Sequence, residues 1–590
     1  MTFTDPSGPR VVLQAPVNGG IGWLALQTPR EILQASTLSE VRSTLRQVQT
    51  AADAGLFAAG FVGYEAAPAF DPALRTHAPG GQPLAWFGIF QEAEILDGLA
   101  PSSTSESTLP WQASITPDRY KQAIADILRH IAQGDTYQVN LTLRLTSPFT
   151  GDPWALFHSL CRGQRSECCA YVDTGDWVLC SASPELFFQL DGERIWSRPM
   201  KGTAPRGRTA DEDSRQGRWL KSSVKNRAEN VMIVDMVRND LGRIAVPNSV
   251  AVAELWRLEK YPSLFQLTST VEARTEASVE EIFAALFPCA SVTGAPKIRA
   301  MEIIHELEQS PRGVYTGAIG MIGPGRQARF NVGIRTVQVD RAAGRATYGT
   351  GGGIVWDSVA DSEWQECRTK ALVLRPPPPQ FELLETMLWD PEEGILLLER
   401  HLDRLRDSAS YFDFPFDSEL ASAELAAVAK QLPGSPHRLR LLVKTDGVRR
   451  IEAAPLKEDD RPWRLAVAAG PVDSSDPFLF HKTTHRDVYE QHRLAYPDHD
   501  DVLLWNEKRE ITESTLANIV VRHGDGLVTP PVDCGLLAGT YRAELLARGE
   551  ISEKRIRIQD LAAVDEVYLI NSVRRWIRTE LDPADLALVP

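Results

Sequence analysis

The order of apolar and polar residues predicts helices and strands along the whole chain. Val139–Leu145 alternates with the two-residue period of a half-buried strand, whereas Trp219–Leu241 repeats apolar residues every three or four positions, as a helix does. Similar patterns predict helices at Asp118–Gln133, Val279–Phe287 and Lys297–Leu307, and strands at Phe330–Val339 and Phe381–Leu388. Because both element types occur in both halves, we expect an α/β or α+β fold.

A run of four prolines, Pro376–Pro379, marks a domain boundary. Consecutive prolines cannot lie inside a helix or a central strand, and they favour a stiff extended spacer. The sequence therefore predicts an N-terminal part at 1–115, a catalytic region at 116–374, a linker at 375–380 and a second domain at 381–590. A surface loop within a single domain is the alternative interpretation.

Composition narrows the class of protein. The 590 residues include 63 basic and 78 acidic residues, and the net charge of −15 argues against non-specific nucleic-acid binding. Seven cysteines without a C-x-x-C pair predict a reduced, cytoplasmic protein. No basic start followed by an apolar run is found at 1–9, and no apolar stretch approaches the ~18 residues of a membrane span, so we expect neither a signal peptide nor membrane insertion.

Four clusters in the first half could carry chemistry. They contain Glu185 with Lys201, then Glu229, then Ser291–Lys297, and finally Gly349–Gly353 followed by Glu363 and Glu366. We expect the glycine run just after a strand. A desolvated lysine can be a nucleophile, carboxylates suit Mg²⁺, and backbone N–H groups exposed by glycine bind anions. Each cluster also has an ordinary interpretation: a surface lysine, a solvated helix face, a helix cap or a tight turn.

Taken together and in this order, the clusters resemble the chorismate-utilising enzymes: the anthranilate, isochorismate and aminodeoxychorismate synthases. The strings "RAENVMIVDMVRNDLGRI", "SVTGAPKIRAMEII", "YTGAIGMIG", "FNVGIRT" and "GTGGGIV" carry the resemblance, which covers roughly 10–374. It implies an anthranilate-synthase-like layered sandwich of sheets and helices. Lys201 in "RPMKGT" is similar to the para-aminating branch, aminodeoxychorismate synthase component I, whereas anthranilate synthases carry Ala there. Gln138 stands where isochorismate synthases carry the lysine that activates water.

The resemblance also implies roles for single residues. Glu185 would be the general acid for the C4 hydroxyl, and Lys201 would add at ring carbon C2. Glu229 and Glu366 would hold Mg²⁺. The two substrate carboxylates would be bound by Ser291, Tyr315, Arg335 and the Gly351 backbone. Many relatives have His at the position of Gln266, so no catalytic role is assigned to this glutamine. No glutaminase string such as G-x-C-x-G occurs, so a separate glutaminase subunit or free ammonia must supply nitrogen.

The second half resembles the fold-class-IV pyridoxal-phosphate enzymes, which include branched-chain and D-amino-acid aminotransferases and aminodeoxychorismate lyase. The matching strings are "ERHLDRLRDSA", "HKTTHRDVY", "ITESTLANIVV", "TPPVDCGLLAGTYR" and "LINSVRRW". The resemblance implies a two-subdomain class-IV aminotransferase-like fold. Lys482 would form the Schiff base, Glu513 would pair with the pyridinium, and the phosphate would contact Arg404, Gly539 and Thr540. Asn571 and Ser572 lie near the site in relatives. Relatives have an extra strand pair before "FELLETM", which here follows only the linker.

The two resemblances predict a bifunctional enzyme that makes 4-aminobenzoate from chorismate. The first half would form 4-amino-4-deoxychorismate, and the second would eliminate pyruvate from it. A synthase fused to an amino-acid aminotransferase, and a non-catalytic sensor of chorismate or pyridoxal phosphate, are the alternatives. Lyase and aminotransferase need the same lysine and glutamate, so the motifs do not separate them. Class-IV relatives usually dimerise, which predicts a homodimer through the C-terminal domain.

Overall fold

The computed structural model describes residues 8–99, 109–377, 379–457, 459, 461–524 and 526–581. The chain divides into two compact units: 1–206 with 216–377, and 207–215 with 378–590. Residue 378 of the predicted linker, and parts of the predicted 1–115 and 381–590 segments, lie outside the described residues. Within the described residues, no helix is both long and apolar enough to cross a membrane.

The first unit is built from two large sheets with helices around them. Its strands are β1 (Arg10–Val17), β2 (Gly20–Gln27), β3 (Glu31–Ala35), β4 (Phe57–Val62), β5 (Ala85–Phe90), β6 (Glu94–Leu96), β7 (Gln112–Ala113), β8 (Gln138–Pro148), β9 (Cys168–Asp173), β10 (Trp177–Ser183), β11 (Leu186–Asp191), β12 (Arg194–Arg198), β13 (Met200–Pro205), β14 (Ala251–Lys260), β15 (Leu264–Arg274), β16 (Gly294–Ala295), β17 (Ala318–Gly323), β18 (Gln327–Val332), β19 (Thr336–Asp340) and β20 (Arg345–Ile354). Its helices are α1 (Leu38–Asp53), α2 (Pro117–Ala132), α3 (Pro153–Gln164), α4 (Ala210–Ser222), α5 (Val224–Gly242), α6 (Val279–Leu286), α7 (Lys297–Leu307) and α8 (Ala360–Lys370). The first residues of α4 group with the second unit.

The two sheets pack face to face. One has the strand order β16-β8-β20-β19-β10-β9-β1-β2-β6 with β7 on β8, and the other has the order β13-β15-β12-β11-β18-β17-β4-β5-β3 with β14 on β15. Leu13 and Leu179 of the first sheet share an apolar cluster with Phe61 and Ile319 of the second. Helices α1, α5 and α6 cover the outer face of the second sheet. This layered sandwich follows from strands that are apolar on both faces.

Three sequence-based predictions are wrong in detail, and each concerns residues that line the cavity described below. The predicted helix Trp219–Leu241 is two helices, because Ser223 has an extended backbone and its hydroxyl caps α5 by accepting from the Asn226 N–H at 3.4 Å. The predicted strand Phe330–Val339 is β18 and β19, interrupted where Arg335 adopts a φ of 51°. The glycine run Gly349–Gly353 lies inside strand β20 rather than after it.

The second unit contains a small and a large sheet. Its strands are β21 (Leu383–Asp390), β22 (Gly394–Ile395), β23 (His437–Val443), β24 (Arg449–Pro455), β25 (Trp463–Val467), β26 (Asp501–Trp505), β27 (Ile511–Ser514), β28 (Asn518–His523), β29 (Gly526–Thr529), β30 (Ser552–Glu553), β31 (Glu566–Asn571) and β32 (Arg575–Leu581). Its helices are α9 (Leu398–Phe412), α10 (Ser418–Ala429), α11 (Asp487–Leu494) and α12 (Thr540–Ala547). The small sheet has the order β22-β21-β23-β24, and the large one β27-β26-β25-β32-β31-β28-β29-β30. Three apolar clusters result among the described residues: one beneath α9 and α10, one around β25 and β26, and a smaller one between β28, β31 and α12.

Candidate active sites

The first unit encloses a cavity of about 450 Å³. Its walls contain all eight residues that the sequence predicts for this half, namely Glu185, Lys201, Glu229, Ser291, Tyr315, Arg335, Gly351 and Glu366. They come from both sheets and from helices α5 and α8, so segments far apart in sequence converge on one space. The structure therefore brings the predicted residues together, and it adds Lys370, Glu363 and Gln266 to the lining.

Glu185 is a buried carboxyl held in place by hydrogen bonds. Its side chain is 1% exposed, and its Oε1 accepts from the Ser291 hydroxyl at 2.6 Å and from the Met200 N–H at 3.4 Å. Burial raises the pKa of Glu185 to about 7, although the Ser291 hydrogen bond and the charge of Lys201 act in the opposite direction. A carboxyl with this pKa can hold a proton at neutral pH and release it to a leaving group.

Lys201 lies in the same cavity, beside the glycine run of β20. A Cβ on Gly353 would lie 2.7 Å from Lys201 Nζ and 2.9 Å from Gln138 Nε2, so only glycine leaves room for both side chains. Burial lowers the pKa of Lys201, while the carboxylates of Glu229, Glu366 and Glu185 partly oppose that effect. The consequence is a larger fraction of neutral, nucleophilic amine than an exposed lysine would have.

Two carboxylate–lysine pairs line the cavity, one on helix α8 and one on helix α5. Glu366 Oε1 lies 2.6 Å from Lys370 Nζ, and Glu229 lies 3.9 Å from Lys225 Nζ. Burial alone would raise the pKa of Glu366, but the charge of Lys370 holds it below its ordinary value. The pKa of Glu229 is instead raised, chiefly by burial. Lys370 also donates to the Gly351 carbonyl at 2.8 Å, which ties α8 to β20.

Arg335 and Tyr315 also line this cavity. Both are 4% exposed, and Arg335 donates to the Lys370 carbonyl at 2.7 Å. A Cβ on Gly349 would lie 2.2 Å from the Tyr315 ring, so the glycine allows this ring to pack directly on the strand. A buried guanidinium and a buried phenol can both donate hydrogen bonds to substrate carboxylates.

The second unit has its own cavity, of about 310 Å³, which also gathers the residues predicted for that half. Lys482, Glu513, Arg404, Gly539, Thr540, Asn571 and Ser572 all line it. The Lys482 carbonyl accepts from the Leu384 N–H at 3.0 Å, which fixes the loop that carries the lysine. Burial, with the charges of Arg486 and Arg404, lowers the pKa of Lys482 to about 7.

Three hydrogen-bond donors contact the buried carboxyl group of Glu513. Its two oxygens accept from the Tyr489 hydroxyl at 2.8 Å, the Leu537 N–H at 3.1 Å and the Asn518 amide at 3.2 Å. Burial nevertheless raises the pKa of Glu513 to about 7. Tyr489 and Asn518 were not predicted from the sequence, although Asn518 stands in the "ITESTLANIVV" string.

Behind Arg404 lies a buried acid that the sequence did not reveal. Glu385 accepts from Arg404 Nε at 2.8 Å and from its Nη2 at 2.7 Å, and it lies 2.6 Å from His401 Nδ1. Burial alone would raise the pKa of Glu385, but Arg404 and His401 lower it to about 2. His401 Nε2 lies 3.2 Å from the Thr540 hydroxyl, so one network connects β21, α9 and α12.

Comparison with known proteins assigns both units. Residues 91–376 match the family model of the chorismate binding enzymes, and residues 382–580 match that of amino-transferase class IV. The chain contains a chorismate binding enzyme domain followed by a class IV amino-transferase domain. This confirms both resemblances and the predicted mixed α/β fold.

The chorismate binding domain has close relatives in bacteria. It is 41% identical over 270 residues to aminodeoxychorismate synthase component 1 of Salmonella typhimurium, a match that covers 45% of this chain and 59% of that protein. The corresponding protein of Bacillus subtilis is 38% identical over 282 residues, covering 47% and 60%. The chain thus spans about three fifths of the length of these curated relatives.

A solved structure of the same fold is anthranilate synthase component I from Streptococcus pneumoniae. It is 25% identical, with a TM-score of 0.50, and the match covers 64% of this chain and 94% of that one. The likeness supports the layered arrangement of the chorismate binding domain.

The donors in the chorismate binding domain fit Mg²⁺. Among the described residues, no group of three His, Cys, Asp or Glu side chains forms a ready-made metal site. Mg²⁺, however, is usually held by one or two carboxylates together with water and substrate oxygens. Glu229 and Glu366 both line the cavity, and the charge of Glu366 adds to burial in raising the pKa of Glu229.

The class IV domain fits pyridoxal phosphate, the cofactor that its family implies. Gly539 precedes α12 without a side-chain cap, so the first N–H groups of this helix are available to a phosphate. A Cβ on Gly539 would lie 1.9 Å from Asn518 Oδ1, so the glycine leaves room for the Asn518 side chain that donates to Glu513. Lys482 supplies the amine for the Schiff base. A protonated ring nitrogen of the cofactor beside Glu513 would favour the ionised form of this glutamate.

Proposed function

We propose that the chain converts chorismate to 4-aminobenzoate in two steps. The chorismate binding domain would exchange the C4 hydroxyl of chorismate for an amine, giving 4-amino-4-deoxychorismate and water. The class IV domain would then release pyruvate from that intermediate. The observation that carries the first step is the presence of Lys201 and Glu185 in one buried cavity, with pKa values shifted toward a neutral amine and a protonated acid.

In the first step, the Lys201 amine attacks C2 of the ring. Electrons of the ring double bonds shift, the C4–O bond breaks, and Glu185 donates its proton so that water leaves. Ammonia then attacks C4 and displaces Lys201 from C2. The sequence supports this route, because the Lys201 position separates para-aminating enzymes from anthranilate synthases.

The remaining residues of the first cavity bind and orient the substrate. Arg335, Tyr315 and Ser291 would contact the two carboxylates, together with the backbone at Gly351. Glu229 and Glu366 would hold Mg²⁺, which when bound screens the charge of the ring carboxylate. Lys370, paired with Glu366, keeps this carboxylate ionised and available as a ligand.

In the class IV domain, Lys482 would hold the cofactor and move the proton. Its pKa of about 7 lets the amine accept and return a proton at neutral pH. Pyridoxal phosphate, when bound, supplies the electron sink for the elimination. Arg404, Gly539 and Thr540 would bind the phosphate, and Glu513 would face the ring nitrogen.

The proposal extends to partner, assembly and location. Two of the relatives reported above are named component 1, which supports a glutamine amidotransferase subunit as the source of ammonia. We also propose that two copies of the chain form a homodimer through the class IV domain. All seven cysteines are free, which supports a cytoplasmic location.

The test is a product assay on the full chain. Chorismate, Mg²⁺, ammonium and pyridoxal phosphate should yield 4-aminobenzoate and pyruvate in equal amounts, measured by chromatography. Lys201→Ala should stop this conversion while leaving pyruvate release from supplied 4-amino-4-deoxychorismate intact. Formation of only anthranilate or isochorismate would contradict the first step, and amine transfer without pyruvate would contradict the second.

A further inference from the structure

The class IV cavity carries more positive charge than a cofactor phosphate requires. Among its described lining residues, six are basic and one is acidic, namely Arg404, Arg438, Arg440, Lys482, Arg486 and Arg574 against Glu513. Arg404 is already matched by the buried Glu385. The others leave a surplus of cations facing the cavity.

Arg438 and Arg440 lie on the face of the small sheet that is turned away from α9, the helix that carries Arg404. Along β23, Leu439 and Leu441 point into the core under α9, so Arg438 and Arg440 point to the opposite face. Glu385, which binds Arg404, lies directly opposite Leu441 in the register and therefore shares the core face. The two strand arginines thus form a group separate from Arg404.

Arg574 adds a third cation from the large sheet. It follows β31 in a turn fixed by Asn571, whose Oδ1 accepts from the Arg574 N–H at 2.8 Å. Its guanidinium carbon lies 5.7 Å from the Trp463 ring centre, and its Nη1 donates to the Lys457 carbonyl at 3.3 Å. In the described part of the chain neither Arg574 nor Arg438 pairs with a carboxylate, so both charges are available to a ligand.

Arg440 is only partly neutralised. Its Nη1 lies 3.0 Å from Glu452, but the same carboxylate also pairs with Arg450 at 2.9 Å.

The substrate proposed above fits this distribution. An α-amino acid carries its carboxylate on the carbon that bears the amine, whereas 4-amino-4-deoxychorismate carries one carboxylate across the ring and a second on the enolpyruvyl group. We propose that Arg438, Arg440 and Arg574 bind these distant carboxylates and make the class IV domain selective for a dicarboxylate amine over monocarboxylate amino acids. This inference rests on the proposed function of the domain.

The experiment compares Arg574→Gln and Arg438→Gln with a matched control, Arg575→Gln. Arg575 neighbours Arg574 but does not line the cavity, and it pairs with Glu393 at 2.6 Å. Loss of one charge-assisted contact should raise the KM for supplied 4-amino-4-deoxychorismate about 10- to 150-fold with little change in kcat. Arg574→Lys should recover part of the loss, and Arg575→Gln should behave like the wild type.

A second readout separates this inference from the proposed reaction. Absorbance of the bound cofactor is titrated with glutamate, a dicarboxylate amine, and with alanine, a monocarboxylate one. Arg574→Gln should weaken the glutamate response selectively, even if the wild-type chain releases no pyruvate and the elimination itself is refuted. An unchanged KM, or equal weakening for glutamate and alanine, would overturn the recognition site while leaving the lyase reaction standing.

Discussion

Replacement of Glu185 by glutamine is the sharpest test of the acid in the first cavity. The two O–H and N–H donors that position this side chain both end on Oε1, from Ser291 Oγ at 2.6 Å and from the Met200 N–H, and the Cys289 thiol adds a weak contact to the same oxygen. A glutamine oxygen can accept both, so the variant should fold and bind chorismate normally while lacking the proton. Loss of a general acid typically costs 10²–10⁴ in rate, which corresponds to about 3–5 kcal/mol of barrier height.

The pH dependence gives a second, independent signature of the same residue. Because the pKa of Glu185 in the free chain lies at about 7 and the protonated form is active, wild-type kcat/KM for chorismate amination should fall as pH rises above 7. In Glu185→Gln that limb should disappear, leaving a low, flat rate. The assay follows 4-amino-4-deoxychorismate and 4-aminobenzoate together by chromatography, because the class IV domain would convert the first into the second. It runs from pH 6 to about 9 at a constant, saturating concentration of free ammonia.

The matched control is Glu280→Gln, a buried acid of the same domain that pairs with Arg42 and does not line the cavity. Its amination rate and pH profile should match those of the wild type. If Glu185→Gln kept more than a tenth of the wild-type kcat, or kept the limb near pH 7, the proton would come from another group and the assignment would be refuted.

Two further predictions concern the class IV domain. Lys482→Ala should abolish pyruvate release and leave chorismate amination unchanged. Borohydride reduction of the wild-type holoenzyme should add the mass of the cofactor to the intact chain, and the variant should lack this adduct. An adduct that persists in the variant would show that another residue forms the Schiff base. Glu385→Gln should destabilise the chain by about 3 kcal/mol at neutral pH, because its folded-state pKa of about 2 lies below the ordinary value of 4.5. That stability is present above about pH 4.5 and is lost as pH falls toward 2, so the urea midpoints of wild type and variant should converge in acid. The control is Glu393→Gln, which removes an exposed ion pair with Arg575 and should change the urea midpoint little at any pH.

Local sequence strings predicted which residues meet better than they predicted the elements that carry them. The strings around Lys201, Glu229 and Arg335 led directly to the lining of one cavity. The helix through Trp219–Leu241 was predicted as continuous because its apolar spacing is continuous. The Ser223 cap that breaks it depends on one backbone conformation, which periodicity does not report.

What the sequence could not show are contacts between distant strands. Glu385 lies in strand β21, and its partners His401 and Arg404 lie 16 and 19 residues further along the chain on helix α9. The three side chains meet only because β21 and α9 pack together. Arg335 enters the first cavity only because β18 and β19 separate at a residue with positive φ. Such positions follow from tertiary packing and have no local signature.

The two domains reach the same electrostatic arrangement on unrelated folds. In each cavity a buried lysine has a lowered pKa and a buried glutamate has one of about 7, as the pairs Lys201 with Glu185 and Lys482 with Glu513 show. Glu385 is as deeply buried as Glu185, yet its direct contacts with Arg404 and His401 lower its pKa to about 2. The difference is the partners and not the depth, because at Glu385 the charges and hydrogen bonds of Arg404 and His401 together outweigh desolvation. Carboxyls left with neutral donors can therefore carry protons, whereas those bound to arginine serve as fixed charges.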